Sequence, residues 1–438
     1  MRILLNLILA ALLMLASFSA SPVARGQQVV IPARTVAGSE TVNRARFEEL
    51  RGRGFDALYN LDYEAARREF KEIARVFPEH PAGPQFLAAS LWIQTLNESR
   101  RLQSSLYNTE AFYAKTEDKA DPQTIEQFRT WTRAAEQLAK ARLKKDTRDT
   151  EALYFLGATE SLKAAFAGAV ERRFIAALRD GSSGVDRHRE VLKLDPNFHD
   201  AEVSIGLYDY VVGGLPLPMK LLASIGGARG SKRRGLETLE RVAREGSFAQ
   251  DDAKTILIAV LKIEGRYTEA LGFARELATK YPRNYLFKLE IADALVSQAS
   301  LERTANTAAA SEHEREAFAI FDALLAAKTK VGRNASSAPA TRAQDQIHSA
   351  YGEALLAAGQ FTRAAKEFQA SANVRDADAG VATMAHLRAA QSLDLAGQRT
   401  SALAEYRTVL ARPNVYDSQE EAKRGLREAY KNGKQQKQ

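Results

Sequence analysis

Residues 251–284 read DDAKTILIAVLKIEGRYTEALGFARELATKYPRN, and this stretch decides the fold. Apolar residues first recur at helical spacing. Gly265-Arg266-Tyr267 then breaks the helix. A second helix follows, with small or apolar residues at Ala270, Ala274 and Leu277, and Pro282 stops it. Helix, tight turn, helix and stop occupy 34 residues.

The same spacing returns elsewhere. Gly54, Tyr63, Ala66, Phe70, Ile73 and Pro78 fall in phase within 47–80. Gly352, Gly359, Phe361, Ala364 and Phe368 do so within 345–378, and Gly397, Ala402, Tyr406 and Val409 within 383–416. Small residues at the start of the second helix let two helices approach closely, and an aromatic four residues later lies on the same face. Neither helix can bury its apolar stripe alone, so neighbouring pairs must stack. The pattern resembles the tetratricopeptide repeat, which places Leu-Gly in helix A, Gly-x-Tyr at the turn, and Ala, Phe, Ala and Pro along helix B. The resemblance implies an all-α, helix-pair solenoid. It marks Gly54, Ala66, Phe70, Pro78, Gly157, Gly206, Gly265, Tyr267, Ala270, Pro282, Gly352, Ala364, Phe368 and Ala402 as structural positions.

The rest of the chain fits once insertions are admitted between helices A and B. Repeat two opens at 81 with Leu87 and Ala88 in place, yet its second helix reaches phase only at Ala135. Repeat three opens at 150, with Leu156-Gly157, and repeat four near 199, with Ile205-Gly206. Repeat six opens at 285, and its helix B centres on Ala317 and Phe321. Against the period of roughly 34, the second helices come about 35, 15, 18 and 13 residues late in repeats two, three, four and six. All four insertions fall at the same junction, which predicts that they cluster on one edge of the stack. Glu151 to Arg179 reads as one long helix ending at Gly181-Ser182-Ser183-Gly184, and Asp121-Pro122 as the capped start of another. Ser247 with Gln250 reads as a capping box. The expected organisation is a leader (1–26), a polar linker (27–46), repeats one to six (47–331), a linker (332–344), repeats seven and eight (345–416), and a capping helix with a basic tail (417–438).

The leader reading rests on Met1-Arg2, an apolar run from Ile3 to Leu15 broken only by Asn6, and the small residues of ASFSASPVARG. That is the order of a secretory signal, and the run is short for a membrane span. Export, to the periplasm or beyond it as a secreted protein, is the expectation. The chain has no cysteine, which excludes a lipid-anchored N-terminal Cys, disulfides, thiolate metal ligands and a thiol nucleophile. The formal charge of +8 falls to +6 without Arg2 and Arg25. So thin an excess, spread over the chain, argues against a nucleic-acid partner.

The chemistry-bearing residues form no catalytic set. None of His80, His188, His199, His313, His348 and His386 pairs at helical metal-site spacing. GGARGSKRRG (226–235) lacks the Gly-Lys-Ser/Thr order of a phosphate loop, and its glycines read as helix punctuation. The sequence therefore predicts a protein-binding scaffold without catalytic residues, metal or cofactor, ahead of a membrane-peripheral accessory factor and, third, an enzyme whose site is not visible in the sequence. Two surfaces compete for the partner. The resemblance implies an inner groove lined by helix A, which would present Trp92, Tyr154 and Tyr210, although the same aromatics also suit plain packing. The other surface is the inserted edge of repeat four, with Leu215, Leu217 and Met219 beside Arg229, Lys232, Arg233 and Arg234. Its apolar half is expected to be covered as a plug; exposed, it would call for a partner or a peripheral membrane contact.

Overall fold

The computed structural model describes residues 36–100, 121–171, 173–217, 220–221, 229–247, 249–326, 343–375 and 377–431. The 1–26 leader, Met219 and all but the last two residues of the 332–344 linker lie outside them. Seventeen α-helices and no strand are found among the described residues. None of these helices is long and apolar enough to cross a membrane. The chain divides into two compact units, residues 3–96 with 119–257 and residues 97–118 with 258–438.

The first unit runs α1 (Val36–Tyr59), α2 (Tyr63–Val76), α3 (Ala82–Glu98), α4 (Pro122–Lys145), α5 (Thr150–Ala169), α6 (Phe174–Leu194), α7 (Glu202–Gly213) and α8 (Lys232–Glu245). α9 (Gln250–Ile263) carries the boundary. The second unit continues with α10 (Tyr267–Lys280), α11 (Tyr285–Glu302), α12 (Thr307–Ala326), α13 (Gln344–Ala357), α14 (Phe361–Ala372), α15 (Ala379–Leu395), α16 (Arg399–Leu410) and the capping helix α17 (Ser418–Arg427). Successive helices pack in tetratricopeptide-like pairs, α1 with α2, α5 with α6 and α7 with α8 in the first unit, and α11 with α12, α13 with α14 and α15 with α16 in the second.

Where the repeat carries no insertion, one turn joins the pair. In repeats five, seven and eight a glycine takes the left-handed conformation: Gly265 at φ 74°, Gly359 at 77° and Gly397 at 74°. The next residue then donates its N–H five residues back, Arg266 to Leu261, Gln360 to Leu355 and Gln398 to Leu393, each at 2.8 Å. This double-bonded helix end satisfies carbonyls that the last turn would leave bare. Repeat one makes the same turn, Asp62 donating to Ala57 at 2.9 Å, but with Leu61 at φ 61° where a glycine would be unstrained. Asp62 then caps α2 by accepting from the Ala65 N–H at 3.2 Å.

The glycine of helix A makes room for the aromatic of helix B. A Cβ on Gly352 would stand 2.7 Å from the Phe368 ring, and one on Gly54 would collide with Phe70. In repeat three the same seat under Gly157 holds the imidazole of His188.

Several expectations need correction. Helix begins at Val36, inside the stretch read as a 27–46 linker, because nothing in VAGSETVNRAR interrupts it. In repeat three α5 ends at Ala169 and α6 begins at Phe174, and Gly181-Ser182-Ser183-Gly184 lies inside α6. Gly184 is small for packing, not for a turn: a Cβ there would meet the Gly157 carbonyl oxygen at 2.7 Å. The start of α9 is not held by a Ser247–Gln250 box. Gln250 donates its side-chain amide to the Arg244 carbonyl, and the Ala249 N–H donates to Asp200 Oδ1 at 2.9 Å. The Asp121-Pro122 start of α4 stands as read, with Asp121 accepting from Thr124 at 3.0 Å.

Candidate functional site

The three aromatics placed in a groove are core residues. Trp92, Tyr154 and Tyr210 are fully buried. The cover is most complete on α5, where every residue from Ala152 to Ala169 is buried except Glu160 and Lys163. Tyr154 lies stacked 5.1 Å from His188 and 5.0 Å from the Phe198 ring. The groove geometry that the resemblance implies needs one face of helix A open, and these helices keep none at those positions.

His188 is equally committed to packing. Its Nε2 lies 3.1 Å from the Tyr154 carbonyl and its Nδ1 2.5 Å from Ser204 Oγ. A carbonyl only accepts, so the proton sits on Nε2 and Nδ1 accepts from the serine. Burial pushes the imidazole down to about 4, against the Tyr154 carbonyl bond, which favours the charged form. It is a neutral ring at physiological pH.

The inserted edge behaves differently from its expected role as a plug. Leu215 is half-buried, but Leu217 is 77% and Leu221 65% exposed. Leu217, Lys220 and Leu221 are helical, with the Lys220 N–H bonded to the Pro216 carbonyl at 2.9 Å. A spacing of four sets the two leucines on one face. The neighbouring glycines are contact surfaces. A Cβ on Gly230 would meet the Asp209 carbonyl at 2.7 Å, and one on Gly235 the Gly206 carbonyl and the Tyr210 nitrogen at 2.5 Å. α7 and α8 thus touch backbone to backbone. Ser231 caps α8, accepting from the Arg234 N–H at 3.4 Å. Of the basic residues, Arg234 is paired with Asp209, Arg233 with Glu237 at 2.8 Å, and Lys232 lies 5.3 Å over the Tyr210 ring. Arg229 is exposed.

A second feature went unread in the sequence. In the second unit a shallow, solvent-open groove of about 410 Å³ is lined by Ser311, Glu314, Arg315, Phe318, Ala319 and Asp322 of α12, with Gln360 and Arg363 at the start of α14. Arg363 donates to Gln360 at 2.5 Å and to the Tyr351 hydroxyl at 3.0 Å. Its guanidinium lies 5.5 Å from the Phe318 ring centre and 6.0 Å from that of Tyr351. Tyr351 stacks in turn on buried Phe321 at 4.8 Å. Burial, then the Asp322 carboxylate, push the Tyr351 phenol up to about 12 against Arg363, so it stays a neutral donor. The groove therefore has a fixed cation on an aromatic floor and acids at its rim. Phe318 and Arg363 carry no motif; only the neighbouring core position, Phe321, was visible from periodicity.

No protein-family model and no curated protein sequence matches the chain. Among solved structures, a human IFIT1 dimer with PPP-AAAA is similar at 12% identity and a TM-score of 0.43, covering 87% of this chain and 84% of that one. A tetratricopeptide repeat protein from Parabacteroides merdae is similar at 14% identity and a TM-score of 0.30, covering 78% of this chain and 99% of that one.

Proposed function

We propose that the chain is an exported, non-catalytic scaffold that binds a segment of another protein. The groove between α12 and α14 carries the reading. It offers an apolar floor at Phe318 and Ala319, and polar groups of both kinds at Gln360, Arg363 and Asp322. That combination suits a peptide, whose backbone supplies donors and acceptors at fixed spacing beside its side chains. Arg363 is already held by Gln360 and Tyr351, so little side-chain freedom is lost on binding. Arg and aromatic residues are the types that dominate such contacts. Nucleic acid stays outside the reading, since 62 basic residues stand against 54 acidic ones, a thin excess for a chain of this length.

The test is a photo-crosslinking residue placed at Ala319 in cells that make the protein. A discrete polypeptide should be captured there, and the added change Arg363→Ala should cut its yield by about tenfold. No captured polypeptide, or one whose yield ignores Arg363, refutes the groove. N-terminal mass spectrometry on the envelope fraction tests export: an intact Met1 there argues against a cleaved leader.

A further inference from the structure

The exposed edge of repeat four lies in the other unit from the groove and calls for a different occupant. We propose that Leu217, Lys220, Leu221, Arg229 and Arg233 form a docking surface for an anionic phospholipid membrane. Between residues 210 and 236 the sequence holds five cations, Lys220, Arg229, Lys232, Arg233 and Arg234, and no acid. The two acids that bracket the segment, Asp209 and Glu237, are taken up by Arg234 and Arg233. Arg233 nevertheless keeps 82% of its side chain exposed.

The leucines decide between a lipid and a protein partner. Leu217 and Leu221 protrude at 77% and 65% exposure from a single helical face, with Lys220 between them. Leucine is under-represented among the residues that dominate protein interfaces, where Trp, Tyr and Arg lead. Apolar side chains flanked by lysine and arginine are instead what an interfacial segment offers to a bilayer, with aliphatic stems reaching back to the headgroups. The backbone contact of α7 with α8 through Gly213, Gly230 and Gly235 fixes the base of this edge.

The test is co-sedimentation of the purified full chain with phosphatidylcholine vesicles, with and without phosphatidylglycerol. Binding to the anionic vesicles should exceed binding to the neutral ones and weaken in high salt. Arg229→Ala with Arg233→Ala should lower it by about thirtyfold, at roughly fivefold per charge. Leu217→Ser with Leu221→Ser should lower it by about tenfold or more while leaving far-UV circular dichroism unchanged. Equal binding to both vesicle types and by every variant would assign attachment to the Ile3–Leu15 run and overturn the proposal. So would absence of binding. A second copy as occupant would show as self-association without vesicles that Leu217→Ser and Leu221→Ser abolish. An acidic protein as occupant would show as capture by polyglutamate that ignores the leucine changes. Either result rejects the membrane assignment.

Discussion

Gly235→Ala should loosen the first unit although alanine is the better helix former. A methyl group at this position would stand 2.5 Å from the Gly206 carbonyl oxygen and from the Tyr210 nitrogen, and 2.8 Å from the Tyr210 Cα. All three obstacles are backbone, so no rotamer relieves them. Ordinary contact begins near 3.4 Å, so α7 and α8 must part by about 1 Å. That separation disturbs the packing of Leu239 and Val242, both fully buried on α8. Overpacking of this kind costs about 1–3 kcal/mol, offset by up to ~1 kcal/mol of helix propensity. The net loss is about 1–2 kcal/mol, or amide exchange roughly 5–30-fold faster if opening sets the rate. Hydrogen exchange read peptide by peptide across α7 and α8 is the assay, because a chain of two units has no single unfolding free energy. Gly272→Ala is the control. It sits mid-helix in α10 with nothing within 4 Å of a Cβ, and should slow local exchange by gaining about 0.8–1 kcal/mol. Unchanged protection of α7 and α8 in Gly235→Ala would refute the claim that glycine contact sets their spacing.

Two further outcomes follow from buried groups and a third from a turn. His188 is neutral in the fold and titrates at about 4 against the ordinary 6.5, so the unfolded chain binds the extra proton in between. Stability is therefore present above pH ~6.5 and lost as pH falls toward ~4, by about 3 kcal/mol; exchange across α5 and α6 should accelerate over that window, and less so in His188→Gln. Lys262 lies buried between Glu290, at 2.5 Å, and Asp293. Burial opposes its charge, but Asp293 and Glu290 outweigh burial and hold the ammonium above its ordinary value. Lys262→Met strands the acids and should cost about 3–5 kcal/mol, read as lost protection in α11. Gly359→Ala puts a side chain at φ 77°, with no steric neighbour, so any loss is backbone strain of about 1–2 kcal/mol. An unshifted melt would mean that the turn relaxes.

The helix pairs were legible wherever the chain keeps the period. Gly265, Gly359 and Gly397 are needed by a left-handed turn, and Gly54 and Gly352 by a ring seated above them, so the backbone imposes a residue type that the eye can find. The same signal misled in the insertions. Gly181 and Gly184 look like a turn, yet an antiparallel helix pair uses glycine equally well for close approach, and sequence spacing alone does not separate the two uses. What distinguishes them is the partner: Gly157 lies opposite Gly184 only after α5 and α6 have folded together.

The candidate sites were less legible, for a related reason. Large aromatics mark either a hot spot or a core, and Trp92, Tyr154 and Tyr210 fell to the core because their helices keep no open face at those positions. Accessibility is a property of neighbours, which a residue's own letter does not carry. The residues that remain accessible are plainer ones. Phe318 is unmarked by any motif and becomes a groove floor only because Arg363 crosses from the next helix pair to cover it. Leu217 and Leu221 stand out for the opposite reason, since they keep 77% and 65% of their surface exposed. Composition did point to that edge, through five cations uninterrupted by an acid. Two protruding leucines add nothing to the core, and beside those cations they form the combination that the proposed anionic, apolar surface requires.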